Sequence, residues 1–168
     1  MLNRRDFIKV GCSGVAGMVV GHVLLRPSVA SASTTGNVYP VIDVAPLSTI
    51  KRGTVINFSY PDRHSPAVLV RLGESGLGGI GPNSEIVAYS SLCTHKGCPL
   101  GYKPERKMFI CPCHWSTFDP AKAGTLVIGQ ASQSLPQVHL RVNNGIVQAF
   151  GVTGLIYGRY TNIVRAGQ

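Results

Sequence analysis

Acidic residues are scarce: 7 Asp+Glu stand against 16 Lys+Arg in 168 residues, and charged side chains make up 14% of the chain. Soluble domains usually carry roughly 25%, and a chain this poor in charge is neither a coiled coil nor a disordered tail. Also missing are an internal repeat, a helical periodicity of useful length, and an apolar run of the ~20 residues needed to cross a bilayer. What the chain has instead is 20 Gly and 11 Pro beside 44% hydrophobic residues. That profile fits a turn-rich β protein of one domain. The net charge of +9 would by itself point to nucleic acid.

Part of that charge belongs to an address. Asn3-Arg4-Arg5-Asp6-Phe7-Ile8-Lys9 precedes an apolar stretch from Val10 to Leu25, then Arg26-Pro27 and the A-x-A pattern Ala30-Ser31-Ala32. This is the layout of a secretory signal, and the paired arginines before Phe-Ile-Lys resemble the twin-arginine type that exports folded proteins. Gly11, Gly14 and Gly17 make the stretch a weak membrane anchor, so cleavage after Ala30 or Ala32 is expected, with tethering if it fails. Residues 1–32 are read as the signal segment and 33–168 as the exported domain. Losing Arg4, Arg5, Lys9, Arg26 and Asp6 lowers the charge from +9 to +6. The remainder is scattered, with no basic run to follow a phosphate backbone, so no nucleic-acid partner is expected.

The exported part reads as short strands between turn signals. Candidates are Val38–Asp43, Thr54–Ser59, Ala67–Leu72, Glu85–Ser90, Lys107–Ile110, Gly124–Ile128, Gln137–Val142 and Ile146–Phe150. Asn143-Asn144-Gly145 between the last two is a hairpin signal, because Asn-Gly supplies the positive φ of a tight primed turn. Gly73–Pro82 is read as a flexible surface loop; no Lys-Ser/Thr follows its glycines, which excludes a phosphate cradle.

Chemistry is concentrated in Cys93-Thr94-His95-Lys96-Gly97-Cys98 and Cys111-Pro112-Cys113-His114. One Cys-x-His and one Cys-x-x-His pair place two thiolates and two imidazoles on neighbouring loops, a donor set that suits zinc or an iron–sulfur cluster. Structural zinc more often uses Cys-x-x-Cys or His-x-x-x-His pairs. His64 and His139 lie outside the pattern and are read as surface or strand residues.

Over residues 85–136 the spacing resembles the Rieske [2Fe–2S] family, in which one iron takes two Cys and the other two His. The resemblance implies an all-β fold, an antiparallel β-sandwich or barrel with a small cluster-binding subdomain inserted between strands, its loops at about 91–118. It assigns Cys93 and Cys111 to the inner iron and His95 and His114 to the outer one. Cys98 and Cys113 would then form a disulfide stapling the two loops, worth ~3 kcal/mol for a closed loop of about fifteen residues. Neutral imidazoles leave the oxidised core uncharged, so an electron enters more easily than onto four thiolates, which raises potentials to about −150 to +300 mV. High-potential members follow the second His with Gly-Ser-x-Tyr, whose hydroxyls bond the cluster sulfurs. Here Trp115-Ser116-Thr117-Phe118 keeps Ser116 and has Phe118 for Tyr, which implies an intermediate potential.

Within the family, the twin-arginine start, Lys122-Ala123-Gly124, Gly129-Gln130-Ala131 and Gly154-Leu155-Ile156-Tyr157-Gly158-Arg159 together resemble the small subunits of arsenite oxidases. That resemblance implies a heterodimer with a large molybdopterin and [3Fe–4S] subunit, and a periplasmic cytochrome c or cupredoxin as the second redox partner. The small subunit itself has no substrate chemistry in such an enzyme. Iodate reductase small subunits are similar in design and run the electron the other way. Two other readings stay open: a quinol-oxidising Rieske protein of a cytochrome bc complex, and a zinc-stabilised binding module.

Overall fold

Apolar runs that do not alternate, Ala67-Val68-Leu69-Val70 and Ile86-Val87-Ala88-Tyr89, form the middle of the molecule. The protein's structure, a computed structural model, describes residues 39–163. The export segment expected at 1–32 lies outside them. The strands are β1 (Ile42–Pro46), β2 (Val55–Ser59), β3 (Pro66–Arg71), β4 (Ile86–Ser90), β5 (Gly101–Lys103), β6 (Met108–Ile110), β7 (Thr117–Asp119), β8 (Thr125–Ile128), β9 (Gln137–Asn143) and β10 (Ile146–Thr153). Among the described residues the only helical pieces are two 3₁₀ turns, Leu47–Thr49 and Pro120–Lys122. The expected all-β class is what is observed.

Six strands pair in the order β1-β10-β9-β4-β3-β2 and four in the order β5-β6-β7-β8, all antiparallel. Strand β4 pairs directly with β9 through Ala88–Val138 and Tyr89–Gln137, so everything between them is an insertion, and it carries the four-stranded sheet. This is the inserted subdomain that the sequence led us to expect.

The runs in β3 and β4 are continuous because both faces are covered, a pattern that leaves no polar side to alternate with. Ala67, Leu69, Ile86 and Ala88 face a core with Val138, Leu140, Val147 and Ala149. Val68, Val70, Val87 and Tyr89 face a second core with Phe109, Phe118, Cys93 and Cys111. Each large aliphatic buried here is worth about 1.5–3 kcal/mol relative to exposure, so the two sheets share a stable wall. Edge strand β2 instead alternates, with Ile56 and Phe58 half-buried and Val55, Asn57 and Ser59 exposed.

The hairpin forms as read: Asn143 pairs with Ile146, and Asn144 (φ 47°) and Gly145 (φ 78°) supply the two left-handed residues of a type I′ turn. Three expectations change. The first strand begins at Ile42, because pairing to β10 starts at Ile42–Ala149; residues 39–41 precede it without strand structure and Val38 lies outside the described residues. Strands β5 and β7 were not expected; at three residues each they are too short to show a period and exist by pairing with β6. Gly73–Pro82 is no loose connection. The Leu77 N–H donates to the Ala121 carbonyl at 2.9 Å and the Gly76 N–H to that of Ser84 at 2.8 Å, while a Cβ on Gly79 would lie 2.1 Å from the Ser84 oxygen.

Candidate metal centre

The two Cys/His segments fold into loops of the same design. In the first, between β4 and β5, the Cys93 N–H donates to the Cys98 carbonyl at 2.9 Å and the Gly97 N–H to the Cys93 carbonyl at 2.8 Å. In the second, between β6 and β7, the Cys111 N–H donates to the Ser116 carbonyl at 2.9 Å and the Trp115 N–H to the Cys111 carbonyl at 3.0 Å. Each loop therefore closes around a cysteine at its start and turns on a left-handed residue four positions later, Gly97 at φ 71° and Trp115 at φ 60°.

This folding sets like donors side by side, the cysteines in one core and the histidine rings against each other. Cys93 and Cys111 are unoxidised and each is 1% exposed. Burial pushes the Cys93 thiol up, the adjoining Cys111 sulfur adds to this, and the backbone N–H groups of His95 and Lys96 that face the Cys93 sulfur pull the other way. The His95 and His114 rings lie 4.8 Å apart between centroids, at 76°, with His114 exposed and His95 half-buried. Cys98 and Cys113 form a disulfide, as expected.

Two observations show that this set fits a metal centre. His95 Nδ1 is buried with no hydrogen-bond partner among the described residues, which costs about 1–3 kcal/mol in a folded protein unless something binds the nitrogen. Two buried thiols, Cys93 and Cys111, stay unpaired beside the Cys98–Cys113 disulfide. The sulfurs of Cys98, Cys111 and Cys113 lie within 4.8 Å of one another, but a disulfide offers no thiolate, so this trio is a disulfide packed on Cys111 rather than a three-cysteine site. The donors left are two thiols and two imidazoles, which suits two irons with unlike ligands better than one zinc.

Ser116 is fully buried and its Oγ accepts the Ala131 N–H at 3.1 Å, which leaves its own O–H free to donate. Phe118 is fully buried in β7 in the core shared with Cys93 and Cys111, and has no donor to give. The segment after β8, which begins with the Gly129-Gln130-Ala131 singled out in the sequence, packs on these loops. Gly129 approaches Ser116 so closely that a Cβ would lie 2.3 Å from the Ser116 Cα. Thr94 Oγ1 donates to the Gln133 carbonyl at 2.8 Å. His139 and His64 lie apart, on Thr153 Oγ1 at 2.7 Å and the Arg63 guanidinium at 2.9 Å.

Residues 40–139 match the family model of the Rieske [2Fe–2S] domain. The chain belongs to the Rieske family. Its cofactor is therefore a [2Fe–2S] cluster and its role electron transfer. Among relatives, the chain is 37% identical to iodate reductase subunit IdrB of Denitromonas iodatirespirans, over 99% of this chain and 89% of that one. It is 46% identical to a cytochrome bc1 complex Rieske iron–sulfur subunit of Streptomyces lividans, over only 39% of this chain and 40% of the other. The fold is similar to that of the soluble domain of Rieske protein II from Sulfolobus acidocaldarius, with a TM-score of 0.64 and 25% identity over 76% of this chain and 84% of that one.

Proposed function

We propose that this Rieske protein is the small, electron-transferring subunit of an exported molybdenum oxidoreductase of the iodate reductase type. The observation that carries this reading is the extent of the similarity: identity to the iodate reductase subunit runs over 99% of the chain. Identity to the cytochrome bc1 subunit covers 39%, which disfavours quinol oxidation. Arsenite oxidation, the reading drawn from the sequence, needs the same small subunit with electrons flowing the other way. The relatives described above favour iodate.

Cys93 and Cys111 hold the inner iron in this reading, and His95 and His114 the outer one. When bound, the cluster takes up and releases one electron. The chain's own residues do the rest. Burial of Cys93 and Cys111 excludes water from the sulfur side, and the Ser116 hydroxyl is free to donate toward it. On the other side His114 stands exposed, next to Trp115 at 72% exposure. An exposed imidazole edge beside a large aromatic is a contact surface suited to a partner subunit. The large subunit would dock here, with a periplasmic cytochrome c or cupredoxin as the other redox partner. Export by the twin-arginine route agrees with the Cys98–Cys113 disulfide, since such bonds persist in oxidising compartments.

The test is to purify the chain with the molybdopterin subunit encoded beside it and assay both reactions. Iodate-dependent oxidation of a reduced cytochrome is expected; arsenite-dependent reduction alone would move the assignment to arsenite oxidase, and quinol turnover without a large subunit would overturn it. His114→Ala should abolish the rhombic paramagnetic resonance signal of the reduced protein.

A further inference from the structure

Beyond β10 the chain turns back toward the first cluster loop. Gly154 (φ 88°) passes over Pro136, where a Cβ would lie 3.3 Å from the Pro136 Cα. Ile156, 2% exposed, plugs into the core of the six-stranded sheet. Asn162, 7% exposed, clasps the segment: its Oδ1 accepts the Ile156 N–H at 3.0 Å and its Nδ2 donates to the Gly154 carbonyl at 2.5 Å. Arg159 pairs with Asp62 in the β2–β3 connection, both side chains mostly buried. Between these anchors stands Tyr157. Its Cδ1 and Cε1 lie 2.5 Å from where a Cβ of Gly97 would be, so the ring rests on bare backbone.

We propose that Tyr157 is a positioning residue for the metal centre: held by Ile156, Asn162 and Arg159, its ring presses on Gly97 and fixes the Cys93–Cys98 loop that carries His95. The disulfide ties only the Cys98 end of that loop to its neighbour, and Thr94 is tied to Gln133. Gly97 has no side chain with which to hold itself. The Gly97 N–H closes this turn on the Cys93 carbonyl at 2.8 Å, with His95 and Lys96 inside it, and backbone N–H groups that point at a ligand sulfur stabilise the more negative, reduced cluster. Loosening the turn takes such donors out of line, so the potential falls. The inference rests on the ligand assignment proposed above.

The experiment compares Tyr157→Ala and Tyr157→Phe in the cluster-loaded full chain, reading the midpoint potential, the paramagnetic resonance line and amide exchange at 94–97. The Ala variant should show a lower potential, a broadened line and several-fold faster exchange; the Phe variant should match wild type. An Ala variant indistinguishable from wild type overturns the proposal, as does a Phe variant that shifts as far as Ala, which would put the effect in the hydroxyl. If the Ala variant does not fold, Arg159→Gln keeps the ring and loosens its anchor. It should shift the potential the same way by less, and no shift overturns the proposal. A wild-type protein lacking the rhombic signal would instead sink the ligand assignment.

Discussion

Gly97 and Trp115 hold the same place in two loops: each donates its N–H to the carbonyl of the cysteine four residues earlier, at 2.8 and 3.0 Å, with φ of 71° and 60°. The first position has the residue that this geometry prefers. The second has a tryptophan, exposed and left-handed.

Trp115→Gly is therefore expected to stabilise the loaded protein. Left-handed backbone costs an L residue ~1–2 kcal/mol, and glycine's extra chain entropy returns roughly 0.5–1, for a net gain of about 1 kcal/mol or less. Denaturant titration checks it; a destabilised variant would mean that the indole makes contacts which outweigh the strain. The same variant should bind the large subunit more weakly if the exposed ring is a contact residue.

Phe118→Tyr should raise the reduction potential. The ring is fully buried in the core that contains Cys93 and Cys111, so an added hydroxyl enters the same core as both proposed ligand sulfurs. A hydrogen bond to a charged acceptor is worth about 1.5–3 kcal/mol. Part of that, at about 59 mV per 1.4 kcal/mol for one electron, is a rise on the order of tens of millivolts. A redox titration giving an unchanged or lower midpoint would remove Phe118 from the tuning residues.

Cys98→Ser opens a disulfide that spans 15 residues. The four donors remain, so the cluster should still assemble, with a stability loss of ~3 kcal/mol in chain-entropy terms. Unfolding monitored by cluster absorbance decides; a variant that loads no iron would show that the disulfide is needed to form the site rather than to hold it.

Asp62, in the β2–β3 connection of the six-stranded sheet, ties down the C-terminal segment through Arg159 and gives it an acid limit. Burial pushes its carboxyl up, but the Arg159 guanidinium, the His64 N–H and the Ser65 hydroxyl outweigh that and hold it below the ordinary aspartate range. A depressed folded value means that the contribution is fully present above the unfolded value, about 3.9, and is lost as pH falls through the folded one. Asp62→Asn should thus be less stable than wild type at neutral pH, with the gap closing below about pH 4. A gap independent of pH would exclude the ion pair as its source.

Local features were legible in the sequence. The turn at Asn144-Gly145 needs only positive φ at adjacent residues, and the double burial of β3 and β4 shows in runs with no polar alternation. The proposed donor set Cys93, His95, Cys111 and His114 could be put forward from the sequence because the four residues sit in two short stretches with a regular spacing. The short strands β5 and β7 were not, since Gly101–Lys103 and Thr117–Asp119 acquire their form from the partner strand β6.

Residue types and their short-range order thus determined the class of the fold and set out the cysteines and histidines that the family resemblance reads as cluster ligands and staple. Tertiary structure alone decided what steadies them. Asp62 and Arg159 are 97 positions apart, and Tyr157 meets Gly97 only because β10 delivers the C-terminal segment to the first loop. Such contacts depend on how strands pair across the whole chain, and no local pattern of residues encodes that pairing.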